Sequence, residues 1–136
     1  MGKTGPVAGR RTERVLTGLD MLVEKRFAPL RGRTVGLVCN PTAVDRRLRH
    51  AADLFHKARG VRLAALFGPE HGVRGDIQYM AAAHGERDRK IGVPVHSLYG
   101  NNAGSLRPAR RALRELDTLV FDIQDVGDQQ IGRAHV

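Results

Sequence analysis

Short apolar segments alternate with helical patterns along this 136-residue chain, and that alternation constrains the fold more than any other feature. The apolar segments cover residues 34–39, 61–67, 93–98 and 118–123. Their apolar residues run without strict alternation, which is typical of strands covered on both faces. Strands that alternate with helices predict the α/β class, with a mainly parallel sheet and flanking helices. Pro94 places the third strand at a sheet edge or at its own first position.

Three helices are expected between and before these strands. Thr17 and Asp20 have the spacing of a capping box, and the helix that follows should end by Pro29. A second helix is predicted over 46–59 and should stop at Gly60. A third should begin with Pro108 as its first residue. The expected buried positions of the second and third helices are Leu48, Ala51, Ala52, Phe55, Ala58, Ala112, Leu113 and Leu116.

Composition excludes several classes of protein. The net charge is +9, which favours anionic partners, but the arginines are dispersed and aromatic residues are only 4%, so there is little surface on which bases could stack. We therefore expect no nucleic-acid partner. One cysteine excludes a disulfide framework and a multi-cysteine zinc site. Charged residues interrupt every apolar run, so no membrane span is expected, and no secretory signal is visible.

Polar residues recur where each predicted strand ends. In a parallel sheet the carboxyl ends of the strands share one edge, where ligands of open α/β sheets bind. These side chains are therefore the candidate site residues: Asn40 and Thr42 after the first strand, Glu70, His71 and Arg74 after the second, Tyr99 and Asn101 after the third, and Asp122, Gln124 and Asp125 at the fourth.

The same positions carry a family resemblance. The segments Asn-Pro-Thr (40–42), Phe-Gly-Pro-Glu-His-Gly-Val-Arg-Gly (67–75), Ser-Leu-Tyr-Gly (97–100) and Phe-Asp-Ile-Gln-Asp-Val-Gly (121–127) resemble the successive motifs of the NamZ-type exo-β-N-acetylmuramidases. The resemblance implies hydrolysis of the β-1,4 bond that releases N-acetylmuramic acid from non-reducing ends of peptidoglycan fragments. It also implies a Rossmann-like amino-terminal domain, a second domain, a cleft between them, and a periplasmic or extracellular location.

The resemblance implies roles for individual residues. Glu70 is carried over as the catalytic acid or base, while Asn40, His71, Arg74, Asp122, Gln124 and Asp125 match positions that line the pocket. Glycoside cleavage also needs a second carboxylate or the substrate's acetamido group, so Asp122 or Asp125 is a candidate for that role. The planar guanidinium of Arg74 suits the lactyl carboxylate that distinguishes muramic acid.

Other interpretations remain open at this point. Glu70 and the two aspartates are also the kind of residue that caps a helix or binds loop backbone. A non-catalytic basic α/β module that binds sugar or phosphate is the alternative function. The histidines lack a metal-ligand spacing, so no metal or other cofactor is expected.

The resemblance also divides the chain. We expect a mobile leader over 1–14 and a partial Rossmann-like catalytic domain over 15–127, truncated before the second domain. A non-native tail is expected over 128–136, because its last six residues resemble a translated sequencing adapter. Such a fragment is expected to lack a complete cleft and to be inactive alone.

Overall fold

The strands form one four-stranded sheet, in which every neighbouring pair is parallel. The computed structural model describes residues 15–69, 72–75, 87–100 and 103–124. The strands are β1 (Thr34–Cys39), β2 (Arg62–Gly68), β3 (Val95–Ser97) and β4 (Thr118–Asp122). Their order in the sheet is β3-β2-β1-β4. The α/β class and the parallel sheet are confirmed, and the expected leader and tail lie outside the described residues.

The helices are shorter than the sequence predicts. They are α1 (Gly18–Glu24), α2 (Ala51–Lys57) and α3 (Arg110–Leu113), with 3-10 turns at Ala28–Leu30 and Ala103–Leu106. The capping box of Thr17 and Asp20 is present at the start of α1, and the helix ends before Pro29 as expected. None of the described helices has the length and apolar character needed to cross a bilayer.

The predicted start of the second helix at residue 46 is wrong. The Asp45 carboxylate accepts hydrogen bonds from the backbone N–H groups of Arg47 and Arg49, at 3.0 and 2.9 Å, and closes a tight turn. Leu48 lies in that turn with φ of +58° and is 82% exposed, so its expected burial is also wrong. Helical spacing cannot reveal this turn, because the competing hydrogen bonds come from a side chain.

The third helix also departs from expectation. It begins at Arg110 after the cap residue Ala109, so Pro108 precedes the helix instead of opening it. Leu113 is exposed, whereas Ala112 and Leu116 pack against the sheet as predicted.

Both faces of the sheet are covered. Alternate β1 residues Val35, Leu37 and Cys39 belong to the larger core, which also includes side chains of α1 and α2. Val38 faces the smaller cluster with Ala65 and Phe67, under α3. Coverage from two sides explains why the strands lack polar alternation.

The smaller cluster depends on Gly36 in the middle of β1. A Cβ there would lie 2.5 Å from Leu116 Cδ1 and 2.9 Å from Phe67 Cε2, so the glycine makes room for the packed side chains. At the edge of this face, Leu119 and Phe121 of β4 are exposed. The apolar character of β4 therefore continues to the surface of this domain.

Candidate functional site

The strand order defines a crevice at the carboxyl end of the sheet. From β1 the chain continues to β2 and β3 on one side, whereas β4 pairs with the other side of β1. The strand order therefore reverses between β1 and β4. Open α/β sheets bind ligands at such a topological switch point, outside the carboxyl ends of the strands.

Asn40 joins the two loops that leave this crevice. Its Nδ2 donates to the backbone carbonyl of Gln124 at 3.1 Å, and its Oδ1 accepts from Thr42 Oγ1 at 2.9 Å. Both ends of the amide are used, so the side chain is held in one orientation. The structure thus brings Asn40 and Gln124 together at the end of β1 and β4.

Asp122, the last residue of β4, lies beside Cys39 in the strand register. Its Oδ2 atom is buried and has no hydrogen-bond partner among the described residues. Burial raises the pKa of Asp122. A carboxyl oxygen in this state can accept a proton or a hydrogen bond from a ligand.

Cys39 itself has no catalytic character. Its thiol is buried, and burial raises its pKa to about 12, with a further contribution from Asp122. The thiol is therefore protonated at neutral pH and packs as an apolar side chain.

His50 connects the loops after β1 and β2 to the start of α2. Its Nδ1 accepts from the Ala52 backbone N–H at 3.2 Å, which places the proton of the neutral ring on Nε2. Nε2 lies 3.2 Å from the Asn40 carbonyl and 3.0 Å from the Val73 carbonyl, so it donates to both. This imidazole links three chain segments at the candidate site.

Arg74 is held by carboxylates of the domain itself. Its Nε donates to Asp88 Oδ2 at 2.5 Å, and one terminal nitrogen donates to Asp53 Oδ1 at 2.8 Å and Asp88 Oδ1 at 3.1 Å. Lys90 pairs with the other oxygen of Asp53. The expected role of Arg74 as the ligand of the lactyl carboxylate stays a prediction.

The two aspartates are ionised partners of this arginine. Burial raises the pKa of Asp88 and of Asp53, but hydrogen bonds from Arg74 and further donors outweigh burial and hold both pKa values below their usual range. The same carboxylates raise the pKa of Arg74, with Asp88 as the main cause. The network therefore keeps its charges at neutral pH.

Tyr99, which follows β3, is exposed. Four other predicted site residues lie outside the described residues. They are Glu70, His71, Asn101 and Asp125. Of the predicted set, the structure brings Asn40, Asp122 and Gln124 to one crevice, and Arg74 follows β2 at the same edge of the sheet.

Sequence reasoning missed His50, Asp53 and Asp88. A histidine directly before a helix start is a usable signal for a cap, because its Nδ1 can replace the oxygen of a serine or asparagine. The two aspartates offer no such signal, since their shared partner Arg74 is 21 and 14 residues away in sequence.

The chain is similar to proteins of one family. Residues 35–130 match the family model described as the amino-terminal part of exo-β-N-acetylmuramidase NamZ. The chain is 43% identical over 114 residues to peptidoglycan β-N-acetylmuramidase NamZ of Bacillus subtilis, an alignment that covers 84% of this chain and 27% of that protein.

Solved structures of DUF1343 family proteins from Bacteroides fragilis are also similar. One has 45% identity and a TM-score of 0.71, and the match covers 82% of this chain and 27% of that one. Another has 28% identity and a TM-score of 0.61, with 82% and 26% covered. The chain thus spans about a quarter of the length of these relatives. By its sequence and its fold, it belongs to the family of NamZ amino-terminal domains.

Proposed function

We propose that this domain forms part of an exo-acting glycoside hydrolase that releases N-acetylmuramic acid from the non-reducing ends of peptidoglycan fragments. The family supports this substrate class, because the B. subtilis relative is a peptidoglycan β-N-acetylmuramidase. The structural observation that carries the proposal is the buried carboxyl oxygen of Asp122 at the switch point, which has no partner among the residues described. The terminal N-acetylmuramic acid of the peptidoglycan fragment would enter the crevice at that edge of the sheet.

Glu70 is the proposed general acid. It stands in the motif Gly-Pro-Glu-His-Gly directly after β2, and it would protonate the glycosidic oxygen as the bond to N-acetylglucosamine breaks. Asp122 supplies the second carboxyl group in this proposal. Its Oδ2 has no partner within residues 15–69, 72–75, 87–100 and 103–124, so it would accept a hydrogen bond from a hydroxyl or amide group of the bound sugar.

The other candidate residues would line the pocket. Asn40 holds the crevice in shape through its bond to the Gln124 carbonyl. His71, Arg74, Gln124 and Asp125 are the further proposed pocket residues.

The test is hydrolysis of a chromogenic muramide by the full-length protein and by Glu70→Gln. We expect loss of turnover by a factor of about 10² or more, because general acid catalysis contributes on that scale. Glu115→Gln is the matched control, since Glu115 is an exposed glutamate before β4. Unchanged activity of Glu70→Gln would remove Glu70 from the mechanism. Muramide binding without turnover by the wild type would favour the non-catalytic sugar-binding alternative.

A further inference from the structure

The turn at residues 72–75 packs directly onto the strands that precede it. A Cβ on Gly68, the last residue of β2, would lie 2.9 Å from the backbone nitrogen of Val73. A Cβ on Gly75 would lie 3.1 Å from Pro41 Cγ in the loop after β1. These two glycines therefore allow the turn to lie against both neighbouring loops.

Two sets of side-chain contacts hold the same turn. His50 Nε2 donates to the Val73 carbonyl and also to the Asn40 carbonyl, so it ties the turn to the loop after β1. The next residue, Arg74, is fixed by Asp53 at the start of α2 and by Asp88. Asp88 is itself fixed, because its Oδ1 accepts from the backbone N–H groups of Lys90 and Ile91, each at 3.0 Å.

The charges of this network are already balanced. Two cations, Arg74 and Lys90, face two carboxylates, Asp53 and Asp88. A third carboxylate from a ligand would leave an excess negative charge. The two carboxylates present would repel it, and the two cations already have carboxylate partners. The network is therefore poorly suited to capture a ligand carboxylate.

We propose that His50 and Arg74 are positioning residues that fix the turn at 72–75, which directly follows the proposed catalytic residue Glu70 and its neighbour His71 in the sequence. This inference rests on the proposed function and assigns Arg74 a role other than binding the lactyl carboxylate. The two residues act through different contacts. His50 donates to the Val73 carbonyl, and Arg74 is anchored by its ion pairs with Asp53 and Asp88.

The test uses the full-length protein and two conservative variants. His50→Asn keeps an acceptor for the Ala52 N–H but lacks the reach of Nε2, and Arg74→Lys keeps the charge but loses the bidentate geometry. Misplacement of a catalytic group by about 1 Å costs about 10²-fold. We expect kcat on a chromogenic muramide to fall by about 10- to 100-fold in each variant, with KM changed less than about 3-fold.

Arg49→Lys is the matched control. Arg49 forms a comparable pair with Asp45, at 2.5 Å, in the adjacent turn, but it makes none of these contacts with the 72–75 turn. We expect its kcat to equal that of the wild type.

Two further measurements separate the roles. Hydrogen exchange measured by mass spectrometry should be faster over residues 72–75 in both variants, and the dissociation constants of free N-acetylmuramic acid and N-acetylglucosamine should change by equal factors. Weaker binding confined to N-acetylmuramic acid in Arg74→Lys, with wild-type exchange, would overturn the proposal. Wild-type exchange in both variants would overturn it whatever their activity. If the wild type hydrolyses no muramide, the proposed function fails while the exchange result still decides whether His50 and Arg74 hold the turn.

Discussion

Replacing Asp122 with asparagine should stabilise the protein. The carboxyl oxygen Oδ2 is buried without a hydrogen-bond partner in the part of the chain that the structure describes, and burial raises the pKa of Asp122, so the folded state disfavours the ionised form. A buried polar group without a partner costs about 1–3 kcal/mol, and more when it is charged. An amide has nearly the same shape and no charge. The amide still leaves a polar atom buried at this position, so we take the lower end and expect a gain of about 1 kcal/mol.

Urea unfolding at two pH values checks both the sign and the cause. With a slope of about 2 kcal/mol per molar urea, the gain at about pH 7 corresponds to a midpoint increase of about 0.5 M with an unchanged slope. A carboxyl group whose folded pKa is raised destabilises the fold above that pKa. The penalty fades as pH falls from the folded pKa to the unfolded value of about 3.9, so the advantage of Asp122→Asn should vanish near pH 3.5.

A second aspartate, directly before β4, provides the control. Asp117 precedes β4 and its Oδ2 accepts from the Thr34 backbone N–H at 2.9 Å, which is the main reason its pKa is lowered. Asp117→Asn should therefore change the midpoint in the opposite direction at about pH 7. A lower midpoint for Asp122→Asn at that pH, or a gain that persists at about pH 3.5, would refute the reasoning.

Three further outcomes are expected. Gly36→Ala should lower the free energy of unfolding by about 1–3 kcal/mol, because the added methyl would lie 2.9 Å from the buried ring of Phe67; an unchanged urea midpoint would contradict this packing. Asp45→Asn should lower the free energy of unfolding by about 1.5–3 kcal/mol at neutral pH. Burial raises the pKa of Asp45, but hydrogen bonds from Arg49 outweigh it and lower that pKa, so the loss of stability should shrink as pH falls below about 4. A pH-independent loss in urea titrations would exclude the charge as its cause. Phe121→Ser should leave the midpoint nearly unchanged and reduce self-association in light scattering, because the ring is 71% exposed; equal scattering by both proteins would show that this ring does not drive association.

The strands were predictable because their signal is local. Residues 34–39 form β1 with the bounds that the apolar run indicates, and Pro94 places β3 at the sheet edge. The start of α2 was missed because the Asp45 carboxylate competes for backbone N–H groups within the apparent helix. A helix boundary of this kind depends on one side chain. The spacing of apolar residues does not reveal it, because that pattern averages over many residues.

The candidate site was predictable only in its location. The carboxyl ends of parallel strands share one edge of the sheet, and this rule places Asn40 and Asp122 together without any knowledge of their contacts. The partners of Arg74 depend on how α2 and the segment near Asp88 dock beside β2, which a linear pattern does not encode. Sequence therefore indicated a ligand role for this arginine, which stays a prediction, but it did not indicate the carboxylate partners of Arg74 within the domain.

The hydrogen bond from Asn40 to the Gln124 carbonyl joins positions 84 residues apart and has a consequence for synthesis of the chain. β1 and β2 are consecutive strands that can pair early, but this bond closes only after β4 has emerged from the ribosome and inserted beside β1. The crevice is thus the last part of the sheet to mature. A nascent chain arrested before residue 118 would contain much of the hydrophobic interior and yet lack β4 and the crevice beside it.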